Sequence, residues 1–221
     1  MKLRTFFRSL YYKIIEMDMF RKHFLMVYWY KSNRNFGDEL NKMLLTLISG
    51  KKIIYVHPNN YKYQHLLSIG SILDSANEQS IIWGSGLISK DSICTVKPKK
   101  ILAVRGPLTR KELIKQGIDC PKVFGDPGLL LPKYYNPLVK KKYELGIIPH
   151  YVDKNNSLLV KLKNNKKIQI IDIQETDPSR FIKNVLSCKN IASSSLHGLI
   201  IADAYEIPSL WLEFSDNITG D

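Results

Sequence analysis

The chain has 221 residues, of which 44% are hydrophobic and 10% aromatic, enough to bury a core as one large domain or two small ones. Its formal charge of +13 favours anionic partners, but the basic residues are scattered, with one KKK run at 140–142 and no zinc-finger, RGG or aromatic RNA-binding motif, so no nucleic acid partner is expected. Cys94, Cys120 and Cys188 lie far apart without a CxxC pair, which argues against a disulfide framework or structural zinc and for a reducing, cytoplasmic setting.

Residues 1–23 form the first expected element, a basic amphipathic helix. Leu3, Phe6, Phe7, Leu10, Tyr11, Ile14 and Ile15 recur at helical spacing, with Lys2, Arg4, Arg8 and Lys13 between them. Such a helix fits an anionic membrane surface and fits a cap on the core equally well. No apolar run reaches the ~20 residues of a membrane span.

Beyond it, apolar runs alternate with helical stretches. FLMVYWY (24–30) is a strand, and NFGDELNKMLLTLISG (35–50) a helix stopped by Gly50. Further strands are expected at 52–56, 66–70, 80–86 and 100–106, a helix opening on Pro107 at 107–117, and a short strand at 122–126. The stretch 131–143 mixes prolines, tyrosines and lysines without periodicity and is expected as a linker. The pattern restarts with strands at 143–151 and 166–173, then a helix at 176–188 capped by Thr176 or Asp177. A strand at 190–195, a helix from Leu196 and a strand at 208–214 follow. The expected fold is α/β: two Rossmann-like domains (1–132 and 144–221, joined by 133–143) whose parallel sheets face across a cleft.

Several polar motifs fall where strands end and helices begin, the ligand-binding edge of such sheets. Asp38, with Asn33, Asn35 and Asn41 nearby, sits at a helix start able to hold an anion, although Asp38 also suits a plain helix cap. Gly84 and Ser85 of WGSG permit close backbone approach, or make an ordinary turn. Arg105 leaves a strand just before Gly106, and its planar fork suits a carboxylate or phosphate. Asp126 of GDPG is expected to serve the turn. His150 ends the first strand of the second half, as a cleft residue or a packed structural histidine. In SSSLHG, Ser194, Ser195 and the helix-start amides, Gly198 included, offer donors to an anion, while His197 is either core packing or a proton-transfer group. No metal-ligand constellation appears.

Taken in order, NFGDELN, WGSG, AVRGPLT, GDPGLLLP, GIIPHYVD and SSSLHGLIIADAYEIPSL resemble the polysaccharide pyruvyl transferase family from about residue 30 to residue 214. The resemblance implies a fold similar to the GT-B glycosyltransferases and transfer of pyruvate from phosphoenolpyruvate to a sugar as a ketal. It implies that Arg105 grips the phosphoenolpyruvate anion and that His197 is the general acid. Characterised relatives can carry an arginine where Ser195 stands here. Phosphoenolpyruvate is then a co-substrate, with no cofactor or metal. The acceptor would be a glycan or lipid-linked oligosaccharide, met in the cytoplasm or peripherally at the inner face of the membrane. A nucleotide-sugar glycosyltransferase of GT-B type and a non-catalytic scaffold in polysaccharide assembly are the alternatives. Folds of this type usually end in helices that cross back to the first half, whereas this sequence stops at NITGD directly after its last strand, so those C-terminal helices are expected to be missing and the second domain truncated.

Overall fold

The computed structural model describes residues 22–32 and 35–215. The expected N-terminal helix therefore lies almost wholly outside the described residues, as do Asn33 and residues 216–221.

Short β-branched and aromatic runs between turn residues form two sheets, both entirely parallel. The first contains β1 (Phe24–Tyr28), β2 (Lys52–Tyr55), β3 (His65–Leu67), β4 (Ser80–Trp83) and β5 (Lys100–Ala103), in the order β2-β1-β3-β4-β5. The second contains β6 (Tyr143–Ile148), β7 (Ile168–Ile170), β8 (Cys188–Ser193) and β9 (Ser209–Trp211), in the order β7-β6-β8-β9. The strand expected at 122–126 is only a single bridge, Val104 to Phe124. Gly125, at φ 147°, turns the chain there into a 3-10 turn over Pro127–Leu130.

Helix α1 (Phe36–Ser49) crosses from β1 to β2. Asn35 caps its start, its Oδ1 accepting from the Gly37 amide at 2.9 Å, and Gly50 ends it in the left-handed region at φ 65°. Asp38 is therefore not the cap. Helix α2 is Pro107–Lys115, and α3 (Leu131–Tyr134) occupies the start of the stretch expected as linker. Helices α4 (Ser157–Leu162), α5 (Pro178–Leu186, capped by Asp177) and α6 (Leu196–Ala204) belong to the second sheet.

The two halves share a core. Phe36, Leu40 and Leu44 lie at i, i+4 and i+8 on α1, and this face packs into one buried cluster with Ile148, Ile173, Phe181, Val185 and Ile201 of the second half. The Phe36 and Phe181 rings stack with centroids 3.9 Å apart, and the Phe36 amide donates to the Ile173 carbonyl at 2.8 Å. Each ring buried this way contributes about 2–3 kcal/mol, with roughly another 1 kcal/mol from the aromatic pair. Around α1 the halves are thus joined by a continuous apolar core.

Candidate functional site

Each sheet reverses its direction of growth once. From β1 the chain moves outward to β2, then returns to lay β3 on the other side of β1; β6, β7 and β8 repeat this pattern. Loops at such a point leave the carboxyl ends in opposite directions and open a crevice. Asn35 to Asp38 and Gly70 to Ser71 follow β1 and β3, while His150 and Ser194 to His197 follow β6 and β8.

His197 is the second residue of α6, and its ring lies against the start of α1. A Cβ built on Gly37 would sit 2.5 Å from the ring atoms Cγ and Cε1, so only glycine admits the imidazole there. Its Nε2 faces Asp126 Oδ2 at 4.0 Å, too far for a hydrogen bond. The two side chains are 12% and 2% exposed, and neither Nε2 nor Oδ2 has a hydrogen-bond partner. Buried polar atoms are almost always satisfied, so two orphans facing each other mark a built feature. The other carboxyl oxygen of Asp126 serves the turn, as expected, accepting from the Gly128 amide at 2.8 Å.

Arg105 completes the group. Its Nη1 donates to Ser71 Oγ at 2.7 Å and Nη2 to the Leu87 carbonyl at 3.2 Å, holding the guanidinium across the loop after β3. Gly86 lies directly beneath it: a Cβ there would fall 2.7 Å from Cζ.

Burial and charge set the protonation states. Burial, reinforced by the Arg105 charge, drives the His197 imidazole down to about 3. Burial raises the Asp126 carboxyl to about 6, against the Gly128 amide and Arg105, which both favour its ionised form. Asp38 is raised to about 7 by burial and by Glu39, opposed by a hydrogen bond from the Tyr30 amide. Near neutral pH the site therefore holds a neutral imidazole, a fixed cation and two carboxyls close to their titration points. An anion held by Arg105 offsets that charge and favours the imidazolium of His197.

The other residues singled out in the sequence divide by placement. Ser195 precedes α6 without a capping hydrogen bond from its side chain, leaving the first amides of this nine-residue helix uncapped beside His197. Gly198 admits the close packing of α6 on β8, since a Cβ there would clash with Ser193 Oγ. Ser194 Oγ accepts from the His150 amide at 2.8 Å and donates to buried Asp153 at 3.3 Å. The His150 ring lies tilted against Tyr151, 4.2 Å between centroids, with its Nδ1 enclosed and unpartnered, and burial lowers its pKa against the opposing Asp153 charge. These two form a separate cluster just beyond the ends of β6 and β8.

Three residues turn inward. Asn41, fully enclosed, donates to the Ile69 carbonyl and accepts from the Ile69 amide, both at 3.0 Å, tying α1 to the end of β3. Ser85, also fully enclosed, donates to the Gly70 carbonyl at 2.9 Å. Gly84 takes φ 91°, and a Cβ there would strike Pro127. Asn41, Gly84 and Ser85 thus build the wall behind the crevice, and the expectation of direct ligand contact gives way to that placement. Asp126 is the residue whose pairing the sequence hid, because its local turn role already accounts for it.

Among the described residues no helix is long and apolar enough to cross a membrane, and no three His, Cys, Asp or Glu side chains group as metal ligands.

Comparison with known proteins completes the picture. The chain matches the polysaccharide pyruvyl transferase profile over residues 3–216. It is 34% identical over 205 residues to an uncharacterised protein of Acanthamoeba polyphaga mimivirus, covering 90% of this chain and 71% of that protein. It is 27% identical over 203 residues to the succinoglycan biosynthesis protein ExoV of Rhizobium meliloti, covering 87% of this chain and 60% of that protein. A solved structure of a functionally uncharacterised Klebsiella pneumoniae protein shares the fold, with a TM-score of 0.50 at 12% identity, covering 92% of this chain and 88% of that one. An α/β architecture of two parallel sheets, ordered motifs along the chain and a profile match over nearly all of it lead to one conclusion: the chain belongs to the polysaccharide pyruvyl transferase family.

Proposed function

We propose that the protein moves pyruvate from phosphoenolpyruvate to a sugar of an exopolysaccharide or other cell-surface glycan precursor, where it closes as a cyclic ketal. The observation that carries this reading is the His197–Asp126 pair, enclosed beside Arg105 where the two halves meet. Enol-phosphate chemistry needs a proton donor aimed at carbon and a cationic grip on a trianion.

In this scheme Arg105 and the uncapped amides of α6, with Ser195, hold the carboxylate and phosphate of the donor. Its negative charge makes His197 the imidazolium. His197 protonates the methylene carbon, the double-bond electrons form the new C–H bond, and the adjacent carbon becomes an oxocarbenium ion. A sugar hydroxyl adds to that carbon. A second hydroxyl of the same sugar then displaces phosphate and closes the ketal. Asp38, with its pKa near neutrality, takes the proton released by the first hydroxyl and returns it through solvent to His197, while the proton of the second hydroxyl leaves on the phosphate, which departs as hydrogen phosphate. No metal or organic cofactor enters the scheme.

The two-sheet plan is read as GT-B-like, supported by ligand-edge motifs on both halves. The +13 charge suits a cytoplasmic protein resting on an anionic membrane face that displays a lipid-linked acceptor. The succinoglycan role in the ExoV name supports an exopolysaccharide acceptor. Incubation with phosphoenolpyruvate and a galactoside or mannosaminide acceptor should release inorganic phosphate and yield a pyruvylated sugar by mass spectrometry, both abolished in His197→Ala. Cleavage of a UDP-sugar in place of phosphoenolpyruvate would make the protein a nucleotide-sugar glycosyltransferase. A folded His197→Ala protein that keeps ketal formation in cells would make it a scaffold.

A further inference from the structure

A second concavity opens on the same carboxyl edge of the first sheet. It has a volume of 340 Å³ and lies beyond the ends of β1 and β2, between Tyr28, Tyr61 and the 3-10 turn carrying Asp74, with Asn59 and Thr95 on its rim. Two aspects of its lining limit the occupant. The chain carries 33 Lys and Arg, yet none lines this space, which disfavours a phosphate, a nucleotide or any other anion. Its aliphatic lining is confined to Pro58, Ala76 and Val96, too little to hold an apolar ligand.

What remains is the chemistry of a polyol. Half-buried Asp74 forms no hydrogen bond or ion pair with any described residue, leaving a carboxylate free to accept from two neighbouring hydroxyls. Tyr61, 57% exposed, offers aromatic surface to the C–H face of a sugar ring, and buried Tyr28 lies against the cavity from the core side. The position also fits. Asp74 lies three residues beyond Ser71, which holds Arg105, and Tyr28 feels the charge of Asp38, next to the Gly37 that touches His197.

We infer that this cavity is the subsite for a neutral pyranose of the acceptor glycan, gripped by Asp74 and set against Tyr61, so that its free hydroxyls reach Asp38. The inference rests on the transferase reading for its purpose, but sugar binding can be measured without any donor. Saturation-transfer difference NMR and calorimetric titration with methyl β-galactopyranoside and methyl β-glucopyranoside should show millimolar binding of at least one probe, not displaced by inorganic phosphate. Asp74→Asn should weaken it roughly tenfold or more. Thr95→Trp, which fills the space from an exposed rim position, should abolish it with an unchanged thermal melt. Absence of binding by both sugars, or binding that neither substitution alters, overturns the assignment. If sugar binds as expected but phosphoenolpyruvate yields no phosphate, the subsite stands and the proposed donor falls. If phosphate release depends on sugar but the acceptor KM is untouched in both variants, the transferase reading stands and the subsite falls.

Discussion

Gly37→Ala tests the site by adding one methyl group. Alanine suits a helix at least as well as glycine, by about 1 kcal/mol, so the backbone of α1 does not resist the change. The steric demand falls on one neighbour. The new Cβ would lie 2.5 Å from Cγ and Cε1 of His197, where ordinary contact needs about 3.5 Å, so the imidazole must retreat by about 1 Å. Overpacking of this kind costs about 1–3 kcal/mol, partly offset by the helix preference, and leaves the protein folded. A catalytic group displaced by about 1 Å loses on the order of a hundredfold in rate. The expected outcome is therefore a folded protein whose phosphate release from phosphoenolpyruvate and acceptor falls about a hundredfold, with the His197 imidazole shifted in long-range ¹H–¹⁵N spectra. Gly106→Ala is the control, since a Cβ there meets nothing within 4 Å. Wild-type turnover in Gly37→Ala with an unmoved His197 resonance would refute the placement of this ring.

Three further outcomes are expected. Below about pH 6 Asp126 of the free enzyme holds the proton that His197 takes up when the anion binds, so kcat/KM should fall as pH rises through about 6; Asp126→Asn, which keeps the Gly128 cap, should remove that limb from the pH profile. The folded pKa of Asp38, about 7, exceeds its ordinary value of 3.8, so its contribution to stability is complete below about pH 4 and lost as pH rises through 7. Asp38→Asn should accordingly be more stable than wild type at pH 8, by about 1–3 kcal/mol in urea titration, and equal to it near pH 4. Asn41→Ala strands the Ile69 amide and carbonyl in the interior and should cost about 2–4 kcal/mol, read as a Tm lowered by several degrees with the two-sheet fold retained.

Much of this arrangement was legible in the chain because its signals are local. Gly50 closes α1, and Asp177 with Pro178 opens α5, since caps act within a few residues of the backbone they satisfy, although at the start of α1 the cap is Asn35 and not the Asp38 that the sequence suggested. The strand ends carrying Arg105, His150 and His197 were visible for the same reason. Hidden features depend on partners distant in sequence. Nothing near Asp126 announces an imidazole on α6, and its turn role already explains a GDPG. Asn41 resembles a ligand group until β3 is laid beside α1 and consumes its amide. The α3 turn escaped notice because four residues beginning Leu-Pro carry no periodicity. The helix at 35–50 was read as such, but the sequence alone did not say that its Phe36, Leu40 and Leu44 would pack on the opposite half.

The stacked rings of Phe36 and Phe181 also determine how the molecule can breathe. Phe36 adjoins Gly37, so the aromatic stack lies within a residue of the imidazole contact. For any rotation of the halves about the stacked rings by about 10°, an atom ~5 Å from the axis would move less than about 1 Å, while one ~20 Å away would move about 3.5 Å. Opening for a bulky glycan would widen the outer mouth yet barely disturb the alignment of the proton donor. A polymer chain could enter and leave while the chemical centre keeps its register.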